Sequence, residues 1–253
     1  MIRLHNKGYT KDFEVHYYEV DKEQRCTPVA LLNYLEETAI SHSHASGYGV
    51  DKLKSDNMGW ILLRWSVEIN KLPILNDTIT VETWASGFNR FYATREYEVR
   101  DASGNSIIKG TSLWVLFDIE RRRPLRIPLY FGDAYGITPT RTINDPFENL
   151  NGCENSIINI EFPIKRSDID TNKHVNNARY IEWILETVPD NIYNESTLKK
   201  IEIYYKKEAS GKIVIASADA AQLKDDGTYQ IVHDIKGIDG TQFCTARTTW
   251  SKL

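Results

Sequence analysis

Cysteine is scarce in this sequence, and long apolar runs are missing altogether. The three cysteines among 253 residues, Cys26, Cys153 and Cys244, are widely separated and odd in number. They supply neither a paired disulfide framework nor a clustered zinc set, which points to a reducing compartment, the cytoplasm. No stretch approaches the ~18 apolar residues of a membrane span, and Met1 to Phe13 carries no signal-peptide core. Glycine and proline are also few, 14 and 8, which excludes collagen-like and low-complexity chains. Basic charge is not in excess: 31 Lys and Arg stand against 35 Asp and Glu, net −4, so nucleic acid is not expected as a partner. Glycine-rich phosphate loops, Gly-x-Ser-x-Gly elbows and paired zinc motifs are absent, and His42-x-His44 has no third ligand at a recognised spacing. Neither a cofactor nor a metal is expected.

What remains is an ordinary globular composition, 41% hydrophobic and 26% charged, long enough for one large domain or two of smaller size. Between residues 131 and 156 breakers accumulate, Gly132, Gly136, Pro139, Pro146 and Gly152 among them, and this segment reads as a linker between residues 1–130 and 157–253. Both flanks present the same order of elements. A short extended segment leads to a helix capped by Thr27, with Pro28 at its first position, Leu31, Leu32, Leu35 and Ala39 on one stripe, and an end near Ser41. Strand-like runs follow at 60–69, 78–85, 91–100 and 106–118. The second helix is predicted from Val175 to Thr187, before Pro189, with runs at 201–207, 212–223, 229–236 and 241–250 after it. A helix followed by a four-stranded antiparallel meander is thus expected twice.

Register supports a duplication. Aligning Leu35-Glu36-Glu37-Thr38 with Ile184-Leu185-Glu186-Thr187 sets Thr38 opposite Thr187, 149 residues on, and aligning Trp114 with Trp250 gives an offset of 136. The longer polar stretch Ser41 to Gly59 in the first half absorbs the difference. One helix wrapped by an antiparallel sheet is the hotdog arrangement. The expected fold class is therefore α+β, a double hotdog whose halves share a sheet as a pseudo-dimer, and the chain is expected as a monomer or a homodimer.

The residues able to do chemistry gather just before the second helix, in Asp168-Ile169-Asp170-Thr171-Asn172-Lys173-His174-Val175-Asn176-Asn177. In an extended segment Asp170, Asn172 and His174 would project to one side, offering a carboxylate, an amide dipole and a titratable imidazole together. Capping of the following helix is the competing reading for the Asp and Asn, but one cap does not need five polar groups.

The pattern Asp-x-Asn-x-His-Val-Asn-Asn-x-x-Tyr-x-x-Trp, Asp170 to Trp183, resembles the signature of the acyl-acyl carrier protein (acyl-ACP) thioesterases. Similar stretches extend the resemblance over nearly the whole chain: Asn33 to Ala39, Val81-Glu82-Thr83-Trp84 and Ser112-Leu113-Trp114-Val115. The resemblance implies a double hotdog hydrolysing the thioester of a fatty acyl chain on acyl carrier protein, releasing free fatty acid in fatty acid biosynthesis. It carries the catalytic positions onto Asp170, Asn172, His174 and Glu208, the last standing 34 residues beyond His174. Many members have cysteine directly after that Glu; here the residue is Ala209, so no cysteine is expected as nucleophile. Glu208 is the candidate base, directly or through a relay, Asn172 and His174 position water or carbonyl, Asp170 orients, and N–H groups near Val175 and Asn176 add positive dipole. Whether Glu208 or His174 takes the proton is left open.

In the first half the corresponding positions are Asp21, Glu23, Arg25 and Leu72, so one active site per chain is expected, in the second half. The resemblance assigns the first half to the acyl chain, with Leu31, Tyr34, Leu35, Trp60, Leu62 and Trp65 as candidate wall residues. Arg121, Arg122 and Arg123, with Arg126, and Lys199 and Lys200 are basic runs able to steer the acidic carrier protein. An acyl-CoA thioesterase of hotdog type and a non-catalytic acyl-binding hotdog protein are the alternatives; retention of Asp170, Asn172, His174 and Glu208 disfavours the second.

Overall fold

The computed structural model describes residues 8–170 and 173–253. It divides into two compact units, residues 1–147 and 148–253. The first contains β1 (Tyr9–Glu14), α1 (Pro28–Ala45), α2 (Val50–Ser55), β2 (Met58–Ile69), β3 (Thr78–Asn89), β4 (Tyr92–Arg100), β5 (Ser106–Asp118), β6 (Arg123–Pro124) and α3 (Tyr130–Tyr135). The second contains β7 (Ser156–Pro163), α4 (Asn177–Leu185), α5 (Asp190–Glu195), β8 (Ser196–Tyr205), β9 (Ile213–Asp219), β10 (Gln222–Leu223), β11 (Tyr229–Gly237) and β12 (Gln242–Lys252). Among the described residues no helix is long and apolar enough to cross a membrane.

Helix α1 begins as the sequence dictates. Thr27 accepts a hydrogen bond from Ala30 N–H at 3.2 Å, satisfying one of the unpaired donors of the first turn, and Pro28 needs none. The helix outruns its predicted end because His42 is drawn inward: it is buried, with Nδ1 2.8 Å from Nη1 of Arg95. Helix α4 starts two residues later than expected, at a cap made by Asn176 Oδ1 to Ala178 N–H. The sheet differs from the expected meanders. Only β3, β4 and β5 follow one another; β2 pairs with β5 from Met58↔Asp118 to Ile69↔Ile108, and β1 lies on the far side of β3. The second unit repeats this order, with β8 on β12, β11 between β12 and β9, and β7 outside β9. Periodicity specifies strands but not their non-local partners. Here α1 packs on β1 and β3, so the chain leaves the helix and enters its sheet at the opposite end of the strand order.

Two short helices fall where the sequence reads as polar or breaker-rich. Leu53 of α2 and Phe131 and Tyr135 of α3 join a buried cluster with Met58, Ala85, Ala93, Leu116 and Ile127. The opening of the 131–156 segment thus packs into the first unit's core.

The duplication is visible bond by bond. Residues 17–19 and 166–168 are single 3₁₀ turns; Val20↔Cys26 and Ile169↔Val175 are isolated bridges; Gln24 and Lys173 both take positive φ, 60° and 66°. All keep the 149-residue offset. Further along, Trp114 Nε1 donates to Ser112 Oγ and Trp250 Nε1 to Thr248 Oγ1, keeping the offset of 136.

The same register puts His233 where the first unit has Tyr97. His233 is fully buried, its Nδ1 2.8 Å from Thr187 Oγ1 and its Nε2 2.9 Å from Thr248 Oγ1. Thr187 spends its own hydroxyl proton on Ile184 C=O, so it accepts from Nδ1–H and Nε2 is left to accept from Thr248: a neutral imidazole, satisfied at both nitrogens. Burial pushes its pKa down to about 3 from an ordinary 6.5, against a smaller opposing pull from Asp234. The unfolded chain therefore binds a proton that the folded chain refuses. Stability should be full above about pH 6.5 and fall by roughly 1.4 kcal/mol per unit as pH drops from there toward 3. Urea midpoints measured between neutral and acid pH should show this slope, and His233→Gln should flatten it. An unchanged slope in the variant would contradict the assignment.

Candidate active site

The segment before α4 is a closed turn, not the extended stretch expected from the alternation of its polar residues. Asp170 N–H donates to His174 C=O at 2.8 Å, Lys173 N–H to Asp170 C=O at 3.0 Å, and Asp170 Oδ1 accepts from His174 N–H at 3.2 Å. The Asp170 carboxylate thus closes its own turn and orients His174 through the backbone. Asn172 lies outside the described residues. Asp168, which the sequence left without a role, is buried: it accepts from Lys165 N–H at 2.7 Å and lies 3.6 Å from Arg179 Nε, pinning the turn to α4. Of the two N–H groups expected to face an oxyanion, that of Asn176 is already committed to Asp168 C=O at 2.8 Å.

His174 and Glu208, far apart in sequence, meet. Nδ1 of His174 lies 3.1 Å from Oε1 of Glu208, and the two side chains are 47% and 45% exposed. A half-exposed ion pair contributes at most ~1 kcal/mol to folding, so stability gives little reason for holding it. In this geometry Nδ1–H donates to the carboxylate, leaving the lone pair on Nε2. Glu208 sits in the loop after β8, and that loop is tied to α4 by Tyr180, whose hydroxyl oxygen accepts from Ala209 N–H at 2.8 Å. Tyr180 is buried between Trp183 and Tyr205, ring centroids 5.5 and 5.3 Å away.

Tyr180 therefore holds the loop that carries Glu208, a contact that sequence reasoning passed over although the residue stands in the quoted motif. Tyr180→Phe keeps the ring but orphans the Ala209 N–H. It should cost about 1–2 kcal/mol and lower kcat with little change in KM, since it loosens Glu208 without touching a pocket. Steady-state kinetics and thermal unfolding check both; a change confined to KM would argue against the role.

The cysteines offer no nucleophile. Burial pushes the Cys26 and Cys153 thiols up to about 12, and Cys244 is raised as well. The first unit has the same turn without the imidazole. Asp21 accepts from Arg25 N–H at 2.9 Å and pairs with Arg25 Nε at 3.0 Å, where the second unit has His174.

What the first unit does have is an apolar cavity of about 90 Å³ beside α1, lined by residues that include Ala39, Ala85, Ala93, Trp60, Phe88 and Trp114. Of the expected wall residues Trp60 borders it; Leu31, Tyr34, Leu35, Leu62 and Trp65 are buried in the core, with the Tyr34 hydroxyl donating to Glu19 at 2.6 Å. Tyr135, also in the wall, accepts from Trp60 Nε1 at 3.1 Å and lies 2.6 Å from Ser43 Oγ. Arg121, Arg122 and Arg123 are exposed, whereas Lys199 and Lys200 are half-buried neighbours at a bulge in β8, between the buried Leu198 and Ile201.

Two helix-and-sheet repeats of this topology are a double hotdog, with an imidazole–carboxylate pair at the head of the second repeat's helix. The chain belongs to the acyl-ACP thioesterase family: residues 6–135 match its N-terminal domain and residues 153–252 its C-terminal domain. Among curated relatives it is 26% identical over 262 residues to the chloroplastic palmitoyl-acyl carrier protein thioesterase of Arabidopsis thaliana, covering 96% of this chain and 64% of that protein. The oleoyl-acyl carrier protein thioesterase 2 of the same plant is 28% identical over 258 residues, covering 95% and 69%. The chain thus spans roughly two thirds of the length of these relatives. A crystal structure of an acyl-ACP thioesterase from Bacteroides thetaiotaomicron superposes with a TM-score of 0.84 at 26% identity, covering 97% of this chain and 98% of that one.

Proposed function

We propose that this protein hydrolyses the thioester between a fatty acyl chain and acyl carrier protein, ending chain elongation by releasing the free acid. The observation that carries the reading is the 3.1 Å contact between His174 and Glu208 in a chain of this family. Glu208 accepts from Nδ1–H and stabilises the imidazolium that forms as Nε2 takes a proton from water. The hydroxide attacks the thioester carbonyl, and the imidazolium then returns a proton to the departing thiolate. Asp170 fixes the turn that carries His174, and Asn172 is assigned to the carbonyl or the water. The exposure of the pair suits a substrate delivered by a large carrier.

The cavity bordered by Trp60 supports assigning the acyl chain to the first unit and the chemistry to the second. The exposed Arg121, Arg122 and Arg123 support an acidic carrier protein as partner. Three free cysteines support a reducing compartment, the cytoplasm. The test is a panel of acyl chains offered on acyl carrier protein and on coenzyme A, scored by free thiol released. Faster turnover on the protein carrier is expected; hydrolysis of neither set would end the proposal.

A further inference from the structure

Arg95 is out of keeping with a cavity built for hydrocarbon alone. It is 8% exposed and forms part of the wall beside Ala85, Ala93 and Trp114. Its Nη1 lies 2.8 Å from His42 Nδ1 and donates to Thr83 Oγ1 at 3.3 Å, and its guanidinium stands 6.0 Å from the centroid of Tyr135. All three partners are uncharged, since His42 accepts here through Nδ1. Among the described residues no carboxylate pairs with Arg95: Glu96 next to it points to the other face of β4, where it meets Arg141. The residues outside the description, 1–7 and 171–172, include no Asp or Glu. Arginine is a cation in any protein setting, and a buried cation without a counter-charge is costly to hold. Two further wall residues, Ser43 and Tyr135, carry hydroxyls.

We infer that the cavity is a binding site for an aliphatic carboxylate, with the chain against Trp60, Trp114 and the alanines and the carboxylate paired with Arg95. A planar guanidinium matches a carboxylate in two parallel hydrogen bonds, and the dry wall strengthens them. Two sources share this chemistry: a free fatty acid, and an acyl chain that bears a second carboxylate at its far end. The binding claim stands apart from the proposed hydrolysis; only the choice between sources rests on it.

Trp60 and Trp114 border the cavity, so their fluorescence reports occupancy. Octanoate titrated into the full chain should bind about tenfold more tightly than octan-1-ol, its uncharged match. Arg95→Gln should lose that preference while still taking up the alcohol, and Arg95→Lys should keep part of it. Equal affinity for acid and alcohol in the wild type overturns the inference whether or not the variants fold, and so does a preference that survives in Arg95→Gln. Hydrolysis of octanoyl and 7-carboxyheptanoyl thioesters then separates the sources. Preference for the carboxylated chain, lost in Arg95→Gln, identifies the far end of the substrate. Inhibition by octanoate without that preference identifies the free acid. If neither thioester is cleaved, the hydrolase reading fails while the fluorescence result still decides the site.

Discussion

Glu208→Ala and His174→Ala should each lower kcat by roughly 10²–10⁴-fold, with thermal unfolding nearly unchanged. The two expectations follow from the same geometry. A pair whose side chains are almost half exposed adds at most ~1 kcal/mol to folding, so its removal leaves the fold intact. A proton relay, by contrast, fails when either member is lost. The double variant should therefore be about as slow as the slower single one, because residues that act as a unit give non-additive losses. Glu208→Gln, which keeps an acceptor oxygen but not the charge, should fall between wild type and Glu208→Ala. Single-turnover rates on one acyl-ACP substrate measure all four. Losses that multiply would show two independent roles, and full activity in either alanine variant would remove that residue from the site.

Glu96→Ala should cost about 3–5 kcal/mol of stability in the first unit. Glu96 is completely buried. Oε1 accepts from Ser86 Oγ at 2.7 Å and Thr111 Oγ1 at 3.0 Å, while Oε2 accepts from Thr142 N–H at 3.1 Å. Arg141 Nε stands 2.7 Å from Oε1, though its N–H is not aimed along the contact, so the two form an ion pair and not an aligned hydrogen bond. Truncation would leave the half-buried Arg141 without its counter-charge and several donors unpaired at once. It would also free residues 141–147, which this carboxylate anchors to the sheet and where Arg141 covers the ring of Phe147. Urea unfolding should show a clear drop in midpoint, with Glu96→Gln losing less. A loss below ~1 kcal/mol in Glu96→Ala would mean that water replaces the carboxylate.

The strands were legible as runs rich in β-branched and aromatic residues, and both long helices from their apolar stripes and the breakers at their ends; the run Ser106–Asp118 is matched end to end. Pairing was not legible, since nothing local in β2 names β5 as its partner. The helices α2 and α3 were hidden because six residues are too few for a periodic stripe; Leu53 ties down the first, Phe131 and Tyr135 the second. At the site, His174 stood out by its neighbours, whereas Glu208 between two lysines and Ala209 reads as a solvated charge and was reached only through the family pattern. The alternation of Asp170, Asn172 and His174 misled because a positive φ at Lys173 folds the segment back, so side-chain direction no longer follows parity. Arg95 gave no sequence signal: a charge on an amphipathic strand looks exposed until the cavity beside it is known.

The turn at 170–174 and its twin at 21–25 amount to a control experiment built into the chain. Both close in the same way, the Asp N–H donating to the C=O of His174 or Arg25 and the Asp carboxylate accepting from that residue's N–H, yet the side chain at the closing position is an imidazole in one and a guanidinium in the other. The turn thus keeps its backbone course with either side chain, although in the first unit Arg25 also pairs through Nε with the Asp21 carboxylate at 3.0 Å. His174→Arg would place in the second unit the side chain around which the first unit already closes the same turn, so turnover lost in that variant reads as lost reactivity and not as a misfolded loop.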